Sequence, residues 1–163
     1  FVDRGLRTIQ RVLVPFHGTS QDRAALTMAR RLFVQSGASI TVLNVLDEQP
    51  SQDGAAFVTS QLREVFGEQA SEVVVKLATS AEPAAAALAE IRSRTEDSYD
   101  LVIVGVGRDW GLEARQFGIQ QEFLIRECPT SLLVLRGYDP RVHGDRPNAS
   151  AASALSPESA SPS

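Results

Sequence analysis

The stretch at residues 100–135, DLVIVGVGRDWGLEARQFGIQQEFLIRECPTSLLVL, decides how this chain folds. Four apolar residues, Leu101, Val102, Ile103 and Val104, run into Gly105-Val106-Gly107. A loop then leads to Gly118 at the mouth of a helical segment, which Pro129 ends, and a second apolar run spans residues 131–135. Short, continuous, β-branched runs of this kind fit strands covered on both faces. A strand that ends in glycines beside a helix N-terminus lets backbone N–H groups approach a phosphate. The stretch therefore predicts a β-α-β unit with a ligand-facing turn at its centre.

The same alternation extends back to the start of the chain. Residues 12–15 (VLVP) predict a first strand, stopped by Pro15. Thr19 or Ser20 is expected to cap a helix, with Asp22 placed for a capping-box contact from Thr19. Ala25, Met28, Ala29, Leu32 and Phe33 recur at helical spacing, and Gly37 supplies the left-handed stop. Residues 39–46 (SITVLNVL) predict strand two and residues 55–66 helix two, closed by Gly67, with Phe57, Leu62, Val65 and Phe66 as its apolar stripe. Residues 72–77 predict strand three, and residues 82–94 a helix capped by Ser80.

Strands that alternate with helices imply a five-stranded parallel sheet with helices on both faces and right-handed crossovers. Ligands of such sheets bind beyond the carboxyl ends of the strands, where the order reverses. That singles out the loop at residues 16–20 and the loop at residues 105–118.

The bulk composition narrows the function. The chain has 163 residues, 43% hydrophobic and 22% charged, with a net charge of −4. An acidic balance argues against a nucleic-acid partner, which would favour a basic face. The single cysteine, Cys128, excludes an intrachain disulfide and most zinc sites, and no metal site is expected. It is expected to be buried and fits a reducing compartment. No run of about 18 apolar residues is present, so no membrane span is expected. The sequence opens on Phe1 and its one methionine is Met28, so a piece of a longer chain is expected. Residues 1–9 read as a linker, residues 10–136 as one domain, and residues 137–163, rich in Ala, Ser and Pro, as a disordered tail.

At residues 11–29 (RVLVPFHGTSQDRAALTMA), 40–48 (ITVLNVLDE), 100–108 (DLVIVGVGR), Gly118 and 128–136 (CPTSLLVLR), the chain resembles a universal stress protein domain. The resemblance implies strand order 3-2-1-4-5 and, often, a homodimer through the edges of strand five. Residues 104–136 are similar to the cytosolic C-terminal domain of bacterial monovalent cation/proton antiporters. That implies an attached membrane transport domain and a cytoplasmic location at the inner face of the membrane.

In ATP-binding members of the family, a glycine is followed after two residues by a second glycine, after nine more by a third, then by Ser or Thr. Here the positions are Gly105, Arg108, Gly118 and Ile119, with Gly107 beside the bend. His17 stands where an acidic residue usually meets the nucleotide. The candidate ligand-binding set is Pro15, Phe16, His17, Gly18, Thr19, Val45, Gly105, Gly107, Arg108, Gly118 and Ile119. Ile119 lacks the hydroxyl donor, a loss of about 0.5–1.5 kcal/mol. Arg108 adds bulk in the bend but also a guanidinium suited to phosphate. Ordinary ATP binding is weakened, and ATP, AMP or cyclic di-AMP remain the candidates.

His17 reads either as a pH-sensitive group or as a polar turn residue. Trp110 and Phe117 either stack on a base or cap the core. No nucleophile elbow or phosphate-loop lysine is present, His143 lies in the tail, and Asp109 and Glu113 are loop carboxyls. The expectation is a non-catalytic regulatory domain. The alternatives are a structural dimerisation domain with a degenerate site and a free-standing stress protein.

Overall fold

The computed structural model describes residues 1–18, 20–46, 53–80, 82–93, 98–105 and 119–135. Five strands, β1 (Arg11–Phe16), β2 (Ser39–Leu46), β3 (Val74–Thr79), β4 (Leu101–Gly105) and β5 (Ser131–Leu135), alternate with four helices, α1 (Ser20–Ser36), α2 (Asp53–Phe66), α3 (Pro83–Ser93) and α4 (Ile119–Glu127). The strands form one parallel sheet in the order β3-β2-β1-β4-β5. This is the expected order, and it places the reversal between β1 and β4.

Side chains alternate across the pleat and divide the core in two. Val12, Val14, Phe16, Ile40, Val42 and Ile103 pack with α1 and α2. Leu13, Leu43, Val45, Val102, Val104 and Leu132 pack with α3 and α4. The central strands are buried on both faces, which is why their sequences read as unbroken apolar runs.

Two expectations are corrected. Pro15 does not stop the first strand; it is buried inside β1 and stands opposite Leu43. The Gln10 carbonyl accepts from Ser39 N–H on β2, and the Arg11 carbonyl from Asp100 N–H beside β4. Odd residues of β1 therefore turn toward β4, where pairing ends at Leu13. The N–H that Pro15 lacks would face that vacated side, so the proline costs the β2 ladder nothing. Strand three begins later than its apolar run suggests. A 3₁₀ turn, Gly67–Glu72, follows the left-handed Gly67 (φ 63°), and β3 then pairs to the end of β2, with Thr79 opposite Leu46.

The segment at residues 1–9 lies against the sheet. Val2 N–H donates to the Leu132 carbonyl at 2.8 Å and Leu132 N–H returns to Val2 at 2.9 Å. Arg4 N–H donates to Ser131 Oγ, and Asp3 Oδ1 accepts from Gly5 and Leu6 N–H at 2.9 Å each. Those two backbone donors hold the Asp3 carboxyl below its usual range. At the same end, Asp100 Oδ2 accepts from Gln10 and Arg11 N–H at 2.9 and 2.8 Å, tying the start of β1 to the start of β4. The tail at residues 137–163 lies outside the described residues.

Candidate functional site

The carboxyl ends of β1 and β4 meet the first turn of α1. The contact is backbone on backbone. A Cβ on Gly105 would stand 2.1 Å from the Gln21 carbonyl oxygen and 2.7 Å from Asp22 N. Gly105 is thus required by the approach of α1 to β4, whatever else it does. Its geometry resembles that of glycines that let a helix sit close on a strand.

His17 follows β1 directly. Its backbone N–H donates to Asp22 Oδ2 at 3.0 Å, and its ring Nδ1 lies 3.0 Å from the Val45 carbonyl. A carbonyl only accepts, so this contact is a hydrogen bond when Nδ1 carries the proton. The β1–β2 ladder ends at Phe16 opposite Asn44. The imidazole supplies a donor to the next β2 carbonyl facing β1, so the side chain extends the ladder after the backbone has turned away. The turn itself needs Gly18, whose φ is +94°. The contact expected from Thr19 to Asp22 lies outside the described residues; among the described residues Asp22 Oδ2 accepts from His17 N–H.

Asp22, expected only as a capping partner, is fully buried in the first turn of α1 beside the end of β1. Its place in the first turn of α1 offsets the positive end of the helix. The other helix N-terminus among the predicted site residues is that of α4, which begins at Ile119. Phe57 also lies at this end. Its ring centroid is 6.2 Å from that of Phe16, and one edge is 3.2 Å from where a Gly18 Cβ would stand. Phe57 is 45% exposed, so the expected core stripe of α2 leaves this aromatic partly open beside the β1 loop. The apolar periodicity concealed that, because spacing marks a helix face but not where the neighbouring strand ends.

Of the predicted site residues, Pro15, Phe16, His17, Gly18, Val45 and Gly105 gather at the carboxyl ends of β1, β2 and β4. Thr19, Gly107, Arg108 and Gly118 lie outside the described residues, as do Asp109, Trp110, Glu113, Phe117 and His143, and of Ile119 only the backbone is described. Cys128 lies at the other end of the sheet, before the start of β5. It is buried behind α4, its Sγ lies 3.3 Å from the Thr130 carbonyl, and burial pushes its thiol up. A raised thiol holds little of the reactive thiolate. Among the described residues, no helix is long and apolar enough to cross a membrane.

Comparison with known proteins agrees with this architecture. The universal stress protein family profile matches residues 8–136. A universal stress protein solved in complex with cAMP superposes with a TM-score of 0.62 at 16% identity, covering 81% of this chain and 100% of that one. The universal stress protein UspA from Lactobacillus plantarum gives 0.62 at 17% identity, covering 80% and 99%. A family member from Arabidopsis thaliana with AMP bound gives 0.50 at 18% identity, covering 79% and 92%. No curated protein matches the chain by sequence. The five-stranded sheet in the order 3-2-1-4-5 and the matched span of residues 8–136 together place this chain in the universal stress protein family.

Proposed function

We propose that the chain is a non-catalytic regulatory domain that senses an adenine nucleotide at the carboxyl ends of β1 and β4. The observation that carries this is the meeting of the β1 turn, the Val45 carbonyl and the first turn of α1 around Gly105. It is supported by the solved relatives that hold cAMP or AMP on the same fold. The base end of the nucleotide belongs near His17, Gly18 and Val45. The phosphate belongs at the α4 terminus, where Arg108 precedes Gly118 and Ile119 in sequence, because Asp22 already meets the α1 terminus.

In this reading the domain acts through a homodimer. It is attached to a cation/proton antiporter and works at the inner face of the membrane; the support for that attachment is the wording of residues 104–136. A free-standing stress protein uses the same site equally well. Sensing requires that the nucleotide bind two states of the domain unequally.

One observation favours a second reading, a structural domain with a degenerate site: the His17 ring already engages the Val45 carbonyl. Calorimetry with AMP, ATP and cyclic di-AMP separates the two. The sensor binds at least one of them, and Arg108→Ala weakens that binding about tenfold, as loss of a charge-assisted phosphate contact should. No heat at millimolar nucleotide leaves only the structural reading.

A further inference from the structure

The amino end of the sheet, opposite the proposed nucleotide site, carries a cleft of its own. It has a volume of about 480 Å³, and its walls come from distant parts of the chain: residues 4–8, the end of α3 at Ile91 and Arg92, residues 98–100 before β4, and residues 129–131 at the start of β5. The guanidiniums of Arg4, Arg7 and Arg92 line it. Among the described residues, the one carboxylate in the lining is Asp100, and it is already engaged. Its Oδ2 accepts from the Gln10 and Arg11 N–H groups, and its Oδ1 lies 3.9 Å from the Arg11 guanidinium. A chain with a net charge of −4 thus gathers three cations here against one engaged anion.

The arginines have donors to spare. Arg4 donates from Nη2 to the Ile125 carbonyl at 3.3 Å. Arg92 Nη2 meets the Glu127 carboxylate at 3.3 Å and the Glu127 carbonyl at 3.5 Å. These contacts are long and exposed, and each uses a single nitrogen of a group that offers five N–H donors in a planar fork. No hydrogen bond or ion pair holds the Arg7 side chain among the described residues. Capping the last carbonyls of α4 accounts for Arg4 and Arg92, but it leaves Arg7 without a role. The hydroxyls of Thr8, Ser98 and Thr130 add further donors to the cleft, and Leu6, Ile91 and Pro129 give it an apolar wall.

We propose that this cleft binds a small multivalent oxyanion, a phosphate ester or a polycarboxylate, gripped by Arg7 from the N-terminal segment and Arg92 from α3. Phosphoryl and carboxylate groups both match the guanidinium fork. A volume of about 480 Å³ admits a molecule larger than inorganic phosphate, with the apolar wall left for its carbon skeleton. Exposed arginines are screened by water and salt, so the affinity belongs in the millimolar range. Because Arg4, Arg7 and Thr8 precede β1, the bound anion ties the N-terminal segment to α3 and to the start of β5. The bonds of that segment to β5, Val2 with Leu132 and Arg4 with Ser131, then open less often.

Amide NMR of the full chain, titrated at fixed ionic strength with inorganic phosphate and separately with citrate, tests the proposal. At least one of the two is expected to shift Leu6, Ser98 and Thr130 along a saturating curve, with a dissociation constant of about 1 mM. Saturation by phosphate alone marks a phosphoryl ligand, and by citrate alone a polycarboxylate. Arg7→Gln removes no bond of the fold and weakens the binding about tenfold; adding Arg92→Gln weakens it about a hundredfold. At about ten times the dissociation constant, hydrogen exchange at Val2 and Leu132 slows about tenfold, because opening the segment breaks the site. Shifts that never saturate, that sodium chloride reproduces, or that survive Arg7→Gln overturn the proposal, and so does unchanged exchange at saturation. AMP is a separate measurement: its shifts are expected at His17, Gly18 and Gly105, so the nucleotide site and this cleft can each fail without the other.

Discussion

The two ends of the sheet are held by different means. At the carboxyl end, backbone meets backbone: Gly105 admits the Gln21 carbonyl to a distance that no side chain would allow. At the amino end, side-chain carboxyls collect backbone donors: Asp100 takes the amides of Gln10 and Arg11, and Asp3 takes those of Gly5 and Leu6. The first arrangement is rigid and sensitive to volume. The second depends on charge and hydrogen bonding, and its Asp3 carboxyl is held below the usual range. The proposed site lies at the end whose geometry is fixed by packing, which suits a site that must hold its amides in place before anything binds.

Gly105→Ala should break this comparison hardest. The added methyl would meet the Gln21 and Asp22 backbone, which cannot swing aside as a side chain can. We expect a loss of about 3 kcal/mol or more, read as a shift of the urea midpoint at constant slope. A loss as small as a surface substitution gives would mean that α1 does not hold its place against β4.

Asp100→Ala tests the other end. Two backbone N–H groups lose their acceptor, and the cost should be about 1–3 kcal/mol. Asp100→Asn retains an acceptor oxygen and should recover part of it. If the two substitutions cost the same, the carboxyl does not hold Gln10 and Arg11 as described.

The smallest effect is the pH response of the strap at residues 1–6. The Asp3 carboxyl is lowered in the folded chain, chiefly by the Leu6 and then the Gly5 N–H. Its contribution is therefore present above the pKa of the unfolded chain and lost as pH falls through the folded value. The strap should stay seated at neutral pH and loosen as pH falls below the ordinary carboxylate range. Amide shifts of Leu6 and Leu132 report it. Asp3→Asn should abolish the titration, whereas a titration that persists in that variant would assign the transition to another group.

Much of the fold was legible in the apolar runs. Val12 to Val14, Ile40 to Val45 and Leu101 to Val104 are buried on both faces, and such burial leaves an unbroken signature in the sequence. Edge strands leave a poorer one. β3 is half-exposed, and it starts two residues later than expected because Glu72 ends a 3₁₀ turn and Val73 caps it. The site was legible in outline. His17, Gly18, Val45 and Gly105 were picked by position, and they do converge. The burial of Asp22, the openness of Phe57 and the contact of His17 with Val45 were not, since each depends on segments that meet only in the fold.

By itself, the sequence determined the alternation of strands and helices, the left-handed glycine after α1 and after α2, and the two loops that face the switch point. Hydrophobic periodicity and glycine's freedom at positive φ are local properties, carried by neighbouring residues. The tertiary structure alone decided that Pro15 continues a strand, that Gly105 is dictated by a helix some 80 residues earlier in the chain, and that Val2 bridges to β5 at Leu132. Each of these turns on which backbone groups face which neighbour, and that is set only when segments far apart in sequence pack together.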